Sequence, residues 1–344
     1  MGGVWGLATV ALMLSPLLMH RALDAVRGPL DFGKFRPLDK SLATPPRLEL
    51  TLEELAVPSL AWPTVLLCVA SLALWASAGA AYAQGVLALW QSFPLSAAGI
   101  YGAFTPMHDA VHNAVSRNRA LNDAVGHLAA IPFIVGLPLF RFVHINHHRY
   151  NNDDDNDPDM WAGEGPTLLL PLRWATVLQY YVHWIISRFA YEKAHGGLSA
   201  ALGKATSLAQ PASLVLAVLL AVAWLDARLL WAVWLGPVLA ASTWLMYLFD
   251  YVPHRPHGVS DRENPYLATN LTRGLFAVWE LSFLMLYQNM HLIHHLYPSV
   301  PFYRYRLVYY RHQAELERKG ALTLPLLDWF AAAAPSADDA KKDS

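Results

Sequence analysis

The sequence is poor in cysteine and in charged residues. Its 344 residues include one cysteine, Cys68, and 15% of them are charged, with a formal net charge of -1 at pH 7. A single cysteine excludes an internal disulfide framework and a cysteine-rich zinc or iron-sulfur site. Soluble domains carry about 25% charged residues, and a near-neutral net charge gives no electrostatic reason to bind nucleic acid. The composition therefore disfavours soluble and nucleic-acid-binding classes.

Apolar residues dominate the composition. Hydrophobic residues make up 55% of the chain, with 13 tryptophans and 15 tyrosines, whose rings favour membrane-water interfaces. Four apolar runs, at 61–82, 85–105, 211–225 and 229–249, approach the roughly 20 residues that cross a bilayer. Only a short polar turn separates the last two. These runs predict an all-α integral membrane protein with about four transmembrane helices in two hairpins and a cytosolic helical cap.

The remaining segments are less regular. Residues 1–58 predict an N-terminal interfacial and linker region, and the lack of a positively charged n-region disfavours a cleaved signal peptide. Residues 126–140 are too short and too interrupted by proline for a span, which predicts an interfacial or re-entrant segment. We expect one membrane domain over 59–335 and a disordered tail over 336–344.

Ten of the 15 histidines lie in four short patches. These are His108 and His112 in HDAVH, His144, His147 and His148 in HINHH, His254 and His257 in PHRPH, and His291, His294 and His295 in HLIHH. On a helix, positions i, i+3 and i+4 share one face, so each HxxHH box directs three imidazoles to one place. Two such boxes arise by chance in roughly one chain in a thousand, so the pattern favours a metal site over polar helix ends.

The order of spans and boxes predicts that the four patches meet on one side of the membrane. The first box follows the second apolar run, and the 211–249 hairpin leaves that side and returns to it. Imidazole suits zinc, copper, iron and nickel, and eight or nine nitrogens exceed the needs of one tetrahedral zinc. Without thiolates, and with a hydrophobic substrate expected, our preferred interpretation is two irons that activate O2.

At these residues the chain resembles the integral membrane fatty-acid desaturase and hydroxylase superfamily, which is marked by HxxxH, HxxHH and HxxHH boxes. The resemblance covers about residues 95 to 310 and is closer to the desaturase-related type of beta-carotene hydroxylase. The narrower match rests on MHDAVHNAV, NDPD, FDYVPHRPH and QNMHLIHHLYPSVPFYRYR. Related carotenoid ketolases share PHRP and DPD elements, so this branch does not fix the product.

The resemblance implies a set of iron ligands. They would be His108, His112, His144, His147, His148, His254, His291, His294 and His295, with His257 a weaker candidate. Ligating imidazoles usually give their other N–H to a carboxylate or carbonyl, which makes Asp109, Asp157 and Asp159 candidate partners, although a solvated acidic loop is the alternative. Asn289 is a candidate to bind a metal water or orient a ligand.

The resemblance also implies a desaturase-like catalytic domain and an O2-dependent, non-haem diiron oxygenase. We expect hydroxylation of a carotenoid ring, with fatty-acyl desaturation or hydroxylation as the alternative, and an external electron donor such as ferredoxin. A haem carrier or metal transporter would need histidines or acids within the spans, whereas these boxes lie at span ends. Five arginines near the boxes could pair with the aspartates, contact lipid headgroups or receive an acidic electron donor: Arg141, Arg149, Arg255, Arg304 and Arg306. A positive-inside bias also explains them, and we therefore expect the boxes on the cytoplasmic side.

Overall fold

The computed structural model of the protein describes residues 45–133, 135–163, 166–194 and 227–327. Three predicted segments lie outside the described residues: the N-terminal run at 1–22, the third apolar run at 211–225 and the tail at 336–344. The predicted linker is described from residue 45 onward, where it contains one helical turn.

The described chain is mostly helical. The helices are α1 (Leu52–Leu55), α2 (Trp62–Ala83), α3 (Leu89–Val111), α4 (Arg119–Ala130), α5 (Leu137–Tyr150), α6 (Leu170–Ala175), α7 (Val177–Ala194), α8 (Arg228–His254), α9 (His291–Leu296) and α10 (Tyr305–Arg318). Two three-residue strands, β1 (Leu271–Arg273) and β2 (Thr323–Pro325), pair in parallel. This short ladder is a small departure from the predicted all-α fold.

Membrane-spanning character is strongest in α2 and α8. Among the described residues these two helices are long and apolar enough to cross a membrane. Residues Arg119–Phe133 and Leu137–Tyr150 pass the same test together but are bent by 94°, as in a broken span or re-entrant loop, in line with the prediction for 126–140. The second predicted run forms α3, but Pro94, Pro106 and several polar residues lower its hydropathy. Four spans in two hairpins are therefore not confirmed.

Helix α3 is the centre of the main hydrophobic core. Its Ile100, Ala103 and Met107 are buried in one cluster with Val238 and Leu245 of α8. α2 packs closely along α3, because a Cβ atom at Gly99 would lie only 2.7 Å from the Ser71 carbonyl oxygen. The absence of a side chain at Gly99 thus permits this close approach of α2 and α3.

A second core supports the third histidine box. All six residues of α9 are buried, and Leu292, Ile293 and Leu296 pack with Tyr305 and Val308 of α10. The box is therefore held on a short helix inside the protein, against the ends of the longer helices.

Candidate metal centre

The nine histidines that the resemblance implies as ligands converge at helix ends. His108 and His112 end α3, the second box lies in the last turns of α5, His254 ends α8, and the third box occupies α9. These ends meet in the interior, so that residues far apart in the sequence form two adjacent groups. We name the two groups cluster A and cluster B.

Cluster A consists of His108, His112, His144, His148 and His294, one ligand atom of each lying within 4.8 Å of the others. The Nε2 atom of His294 lies 3.1 Å from that of His108 and 2.8 Å from that of His148. The Nε2 atoms of His144 and His148 are 3.1 Å apart. Five ring nitrogens therefore face a common centre.

Cluster B consists of His147, His254, His291 and His295, which are all buried and meet the same distance limit. The Nε2 atom of His295 lies 3.3 Å from that of His147 and 3.2 Å from that of His254. The two clusters touch, because the ring centroids of His148 and His295 are 4.3 Å apart. Two metal ions could thus bind side by side.

Helix geometry divides each HxxHH box between the clusters. In HINHH, His144 and His148 belong to cluster A while His147 belongs to cluster B. In HLIHH the assignment is reversed, since His291 and His295 belong to cluster B and His294 to cluster A. Each i, i+4 pair stays together, and the i+3 residue, turned by about 100° from its i+4 neighbour, points to the other cluster. Both helices therefore contribute to both clusters.

The protonation of the rings indicates that a cation fits here. The Nδ1 atom of His147 lies 2.9 Å from an Asp157 oxygen, that of His254 lies 2.6 Å from the Asp250 carbonyl oxygen, and that of His295 lies 3.3 Å from an Asp261 oxygen. In a neutral ring these acceptors place the proton on Nδ1, which leaves a lone pair on Nε2. The facing Nε2 atoms of cluster B then present lone pairs to one another, an arrangement that a bound cation stabilises.

Two further nitrogens support this interpretation. The Nε2 atoms of His112 and His291 are buried and have no hydrogen-bond partner. A buried polar atom without a partner costs roughly 1–3 kcal/mol. Metal coordination would satisfy both atoms, one in each cluster.

The carboxylates of the DPD segment lie beside cluster B. The Asp159 Oδ2 atom is 3.1 Å from His147 Nδ1, so this ring faces both Asp157 and Asp159. The backbone N–H groups of Asn152 and Asp159 donate to Asp157, and the Tyr181 hydroxyl donates to Asp159. The two carboxylates are thus fixed in place and orient the His147 ring.

Asp109 lies differently from its predicted role, whereas the role of Asn289 stays a prediction. The Asp109 carboxylate accepts hydrogen bonds from the Thr64 hydroxyl at 2.9 Å and from the Phe302 N–H at 3.3 Å, so it joins α2 to the chain after α9 instead of bonding a histidine. The Asn289 side-chain N–H donates to the Val278 carbonyl, while its Oδ1 atom is buried without a partner. His257 belongs to neither cluster.

Sequence patterns missed three side chains that contact the clusters. Besides Asp261, these are Gln288, whose Oε1 atom lies 3.1 Å from His291 Nδ1, and Tyr305, whose hydroxyl lies 2.9 Å from His294 Nδ1. Gln288 precedes His291 by three residues, a spacing that could have identified it. Asp261 and Tyr305 come from segments whose approach depends on the tertiary fold.

Burial favours the neutral form of the histidines in the third box. Burial and the neighbouring histidines hold the pKa of His291 and His294 well below its usual value. Burial also lowers the pKa of His295, although the Asp261 carboxylate opposes this change. Neutral imidazole is the form that binds metals, so these lowered pKa values favour metal binding by the third box.

Several of the arginines near the histidine boxes donate hydrogen bonds within the chain. Arg141 donates to Asp123 at 2.6 Å and to the Ala110 carbonyl oxygen at 2.9 Å. Arg255 donates to the Pro325 carbonyl oxygen, and Arg304 to that of Ala56. These cations contribute to the fold around the clusters.

Comparison with known proteins agrees with the histidine pattern. The family described as fatty acid desaturase matches residues 84–325. An sn-1 oleoyl-lipid 12-desaturase of a Picosynechococcus species is 28% identical over 274 residues, which cover 73% of this chain and 76% of that protein. A chloroplastic omega-6 fatty acid desaturase of Spinacia oleracea is 35% identical over 100 residues, or 27% of this chain and 20% of that protein.

A third relative is an sn-1 acyl-lipid omega-3 desaturase (ferredoxin) of a Nostoc species, 32% identical over 72 residues, or 20% of each chain. These relatives are desaturases of acyl lipids, and they do not support the narrower similarity to beta-carotene hydroxylases. The family match includes every histidine of clusters A and B. The chain belongs to the fatty acid desaturase family.

Proposed function

We propose that this protein is a membrane-bound acyl-lipid desaturase with a non-haem diiron centre. The observation that carries the proposal is the pair of adjacent histidine clusters, whose nine nitrogens face two neighbouring points. The similarity to an sn-1 oleoyl-lipid 12-desaturase over about three quarters of both chains supports the choice of reaction. The expected carotenoid ring hydroxylation has no such support, so the alternative, fatty-acyl desaturation, becomes the leading hypothesis.

Clusters A and B would each hold one iron. Imidazole nitrogens are suitable iron ligands, and iron, when bound, would supply the activation of O2 needed to cleave an unactivated C–H bond. The chain's own residues orient the rings: Asp157 and Asp159 hold His147, Asp261 holds His295, Gln288 holds His291 and Tyr305 holds His294. Burial of the histidines keeps bulk water away from the centre.

The reaction needs electrons from outside the histidine clusters. Removal of one hydrogen from each of two adjacent methylene carbons forms a double bond, and reduction of O2 to two waters takes up these two hydrogens with two further electrons and two protons. We propose an external one-electron donor such as ferredoxin, which the name of the Nostoc relative includes. The excess of arginine near the boxes favours a cytoplasmic location of the centre by the positive-inside rule.

Expression in a bacterial host that makes both beta-carotene and monounsaturated glycerolipids tests the proposal. We expect a new double bond in the glycerolipid acyl chains, detected by gas chromatography, and unchanged carotenoids. His294→Ala is the matched control, since it removes a ligand of cluster A. Hydroxylated carotenoids with an unchanged acyl profile would overturn the desaturase assignment in favour of the carotenoid hypothesis.

A further inference from the structure

The segment 274–287 carries a pattern that neither the spans nor the histidine clusters explain. Its sequence, GLFAVWELSFLMLY, contains 14 residues and one charge, at Glu280. This is too short to cross the hydrocarbon core of a bilayer, which needs about 20 residues in a helix. The segment ends directly before Gln288 and His291, so its environment is also that of cluster B.

The apolar side chains of this segment form a buried set and an exposed set. Val278, Leu281 and Met285 are buried. Leu275, Phe276 and Phe283 are instead 75%, 87% and 93% exposed. A soluble protein rarely exposes several large apolar side chains together, because their transfer from water is favourable. The exposed half of the segment therefore requires an apolar partner.

Contacts of the buried half show where this surface lies. Leu281 and Met285 share a hydrophobic cluster with Met246 and Tyr247 of α8. Met246 lies about two turns before the end of α8 at His254. The buried half of the segment therefore packs at the level of the last turns of α8, a helix long and apolar enough to cross a membrane.

Two backbone features fix the segment in this position. The Tyr101 hydroxyl of α3 donates to the Leu284 carbonyl oxygen at 2.9 Å. Leu286 and Tyr287 have left-handed backbone angles, with φ of 46° and 64°, an uncommon conformation for such residues. The chain thus turns sharply after its exposed side chains and returns to the metal centre.

The single charge does not oppose contact with lipid. The Glu280 carboxylate accepts a hydrogen bond from the Phe276 N–H at 3.1 Å. A Cβ atom at Gly274 would collide with the same carboxylate. Glu280 is therefore folded back onto its own segment, which leaves the apolar side chains as the outward surface.

We propose that segment 274–287 is a re-entrant lipid-contacting surface that inserts Leu275, Phe276, Phe283 and Leu284 among the acyl chains of the bilayer. Apolar side chains inserted at the headgroup and acyl boundary bind membranes through the area they bury. The bilayer is the partner favoured by the contact with α8. Insertion does not depend on the desaturase assignment, but it would bring lipid acyl chains next to the segment that leads into cluster B.

Fluorescent labelling in lipid vesicles tests this inference. Phe283→Cys and Phe276→Cys of the full chain are labelled with NBD in phosphatidylcholine and phosphatidylglycerol vesicles, and quenching by doxyl lipids is compared with quenching by aqueous iodide. Gln313→Cys on the exposed face of α10 is the water-exposed control, and Leu66→Cys, at a 63% exposed position on α2, is the lipid-exposed control. The wild-type chain, with only the buried Cys68, gives the background labelling.

We expect labels at 276 and 283 to follow Leu66→Cys, with several-fold stronger quenching by doxyl lipid and weaker quenching by iodide than Gln313→Cys shows. Iodide quenching equal to that at Gln313→Cys would overturn the proposal. Protection from both quenchers would also overturn it, because it would indicate a second copy or another protein on this surface. This readout is independent of catalytic activity, so it separates insertion from the proposed reaction.

Discussion

Clusters A and B use different means to hold their histidines. In cluster B the Nδ1 atom of every ring has a hydrogen-bond partner. The partners are the Asp157 and Asp159 carboxylates for His147, the Asp250 carbonyl for His254, Gln288 for His291 and Asp261 for His295. In cluster A, within the described part of the chain, His294 has such a partner in Tyr305, while the Nδ1 atom of His108 is buried without one.

Cluster A relies instead on aromatic packing within its own helices, between residues four positions apart. The ring of His108 stacks on Phe104 with 6.0 Å between centroids, and that of His144 stacks on Phe140 at 5.5 Å. Carboxylate partners raise the basicity of a ligating histidine, whereas packing fixes only its orientation. We therefore expect the cluster B metal to depend on polar loops and the cluster A metal on the longer helices.

The largest effect is expected from loss of a histidine in either cluster. His294→Ala and His254→Ala should each lower desaturation at least about 100-fold, the upper end of the loss seen when only a ligand's partner is removed. Acyl-chain analysis of cells that express each variant at equal membrane levels measures this effect. His127→Ala, a half-buried position outside both clusters, is the control. Wild-type activity in either cluster variant would contradict two cooperating clusters.

The next largest effect is expected from Asp157→Asn, which should weaken iron binding at cluster B alone. It removes the carboxylate charge beside His147 and should reduce iron affinity of cluster B about 10- to 100-fold, the usual cost of losing such a partner. Titration of the metal-free protein with ferrous iron, with exclusion of oxygen, measures the affinity. Asp109→Asn is the matched control, because that carboxylate bonds Thr64 and Phe302 and no cluster histidine. An equal loss in both variants would argue against a direct role for Asp157.

Tyr305→Phe should have a smaller effect, confined to cluster A. It removes the hydroxyl bonded to His294 Nδ1, and a hydrogen bond of this kind contributes about 1 kcal/mol, or roughly a fivefold change in affinity. The same iron titration, read at the cluster A step, measures it. If the cluster B step changes instead, the proposed division of the HLIHH box is wrong.

The smallest effect is expected at Glu54, outside both clusters. Burial opposes ionisation of this carboxyl, but hydrogen bonds from Thr51, His312 and Arg311 lower its pKa to about 2, from 4.5. A lowered pKa stabilises the fold fully above about pH 4.5, and this contribution is lost as the pH falls toward 2. Glu54→Gln should thus reduce thermal stability at pH 6 and remove this part of the acid dependence. An unchanged melting curve would contradict it.

The histidine pattern made the convergence of the nine histidines predictable, because helix periodicity is local. The spacing of HINHH and HLIHH brings their rings to one side of each helix, and all nine predicted histidines lie in clusters A and B. The expectation that each HxxHH box directs three imidazoles to one place was wrong, because the i+3 residue is turned by about 100° from its i+4 neighbour and joins the other cluster. Two clusters follow from the way α5 and α9 face each other.

Tertiary contacts were not predictable in the same way. Asp261 is 34 residues from His295 in the sequence, and no spacing rule relates a loop carboxylate to a distant helix. Asp109 lies next to His108, but its side chain leaves the helix in another direction and bonds Thr64. Apolar runs predicted α2 and α8 as spans, whereas α3 combines an apolar core with prolines and polar residues that hydropathy alone cannot assign.

Iron content of the purified full-length protein tests the central claim most directly. After reconstitution with ferrous iron in the absence of oxygen and removal of weakly bound metal, we expect about two irons per chain, as in other two-metal sites. The control variant His127→Ala should bind as much iron as the wild-type chain. A wild-type content of one iron or none per chain would contradict the account of clusters A and B as two adjacent metal sites.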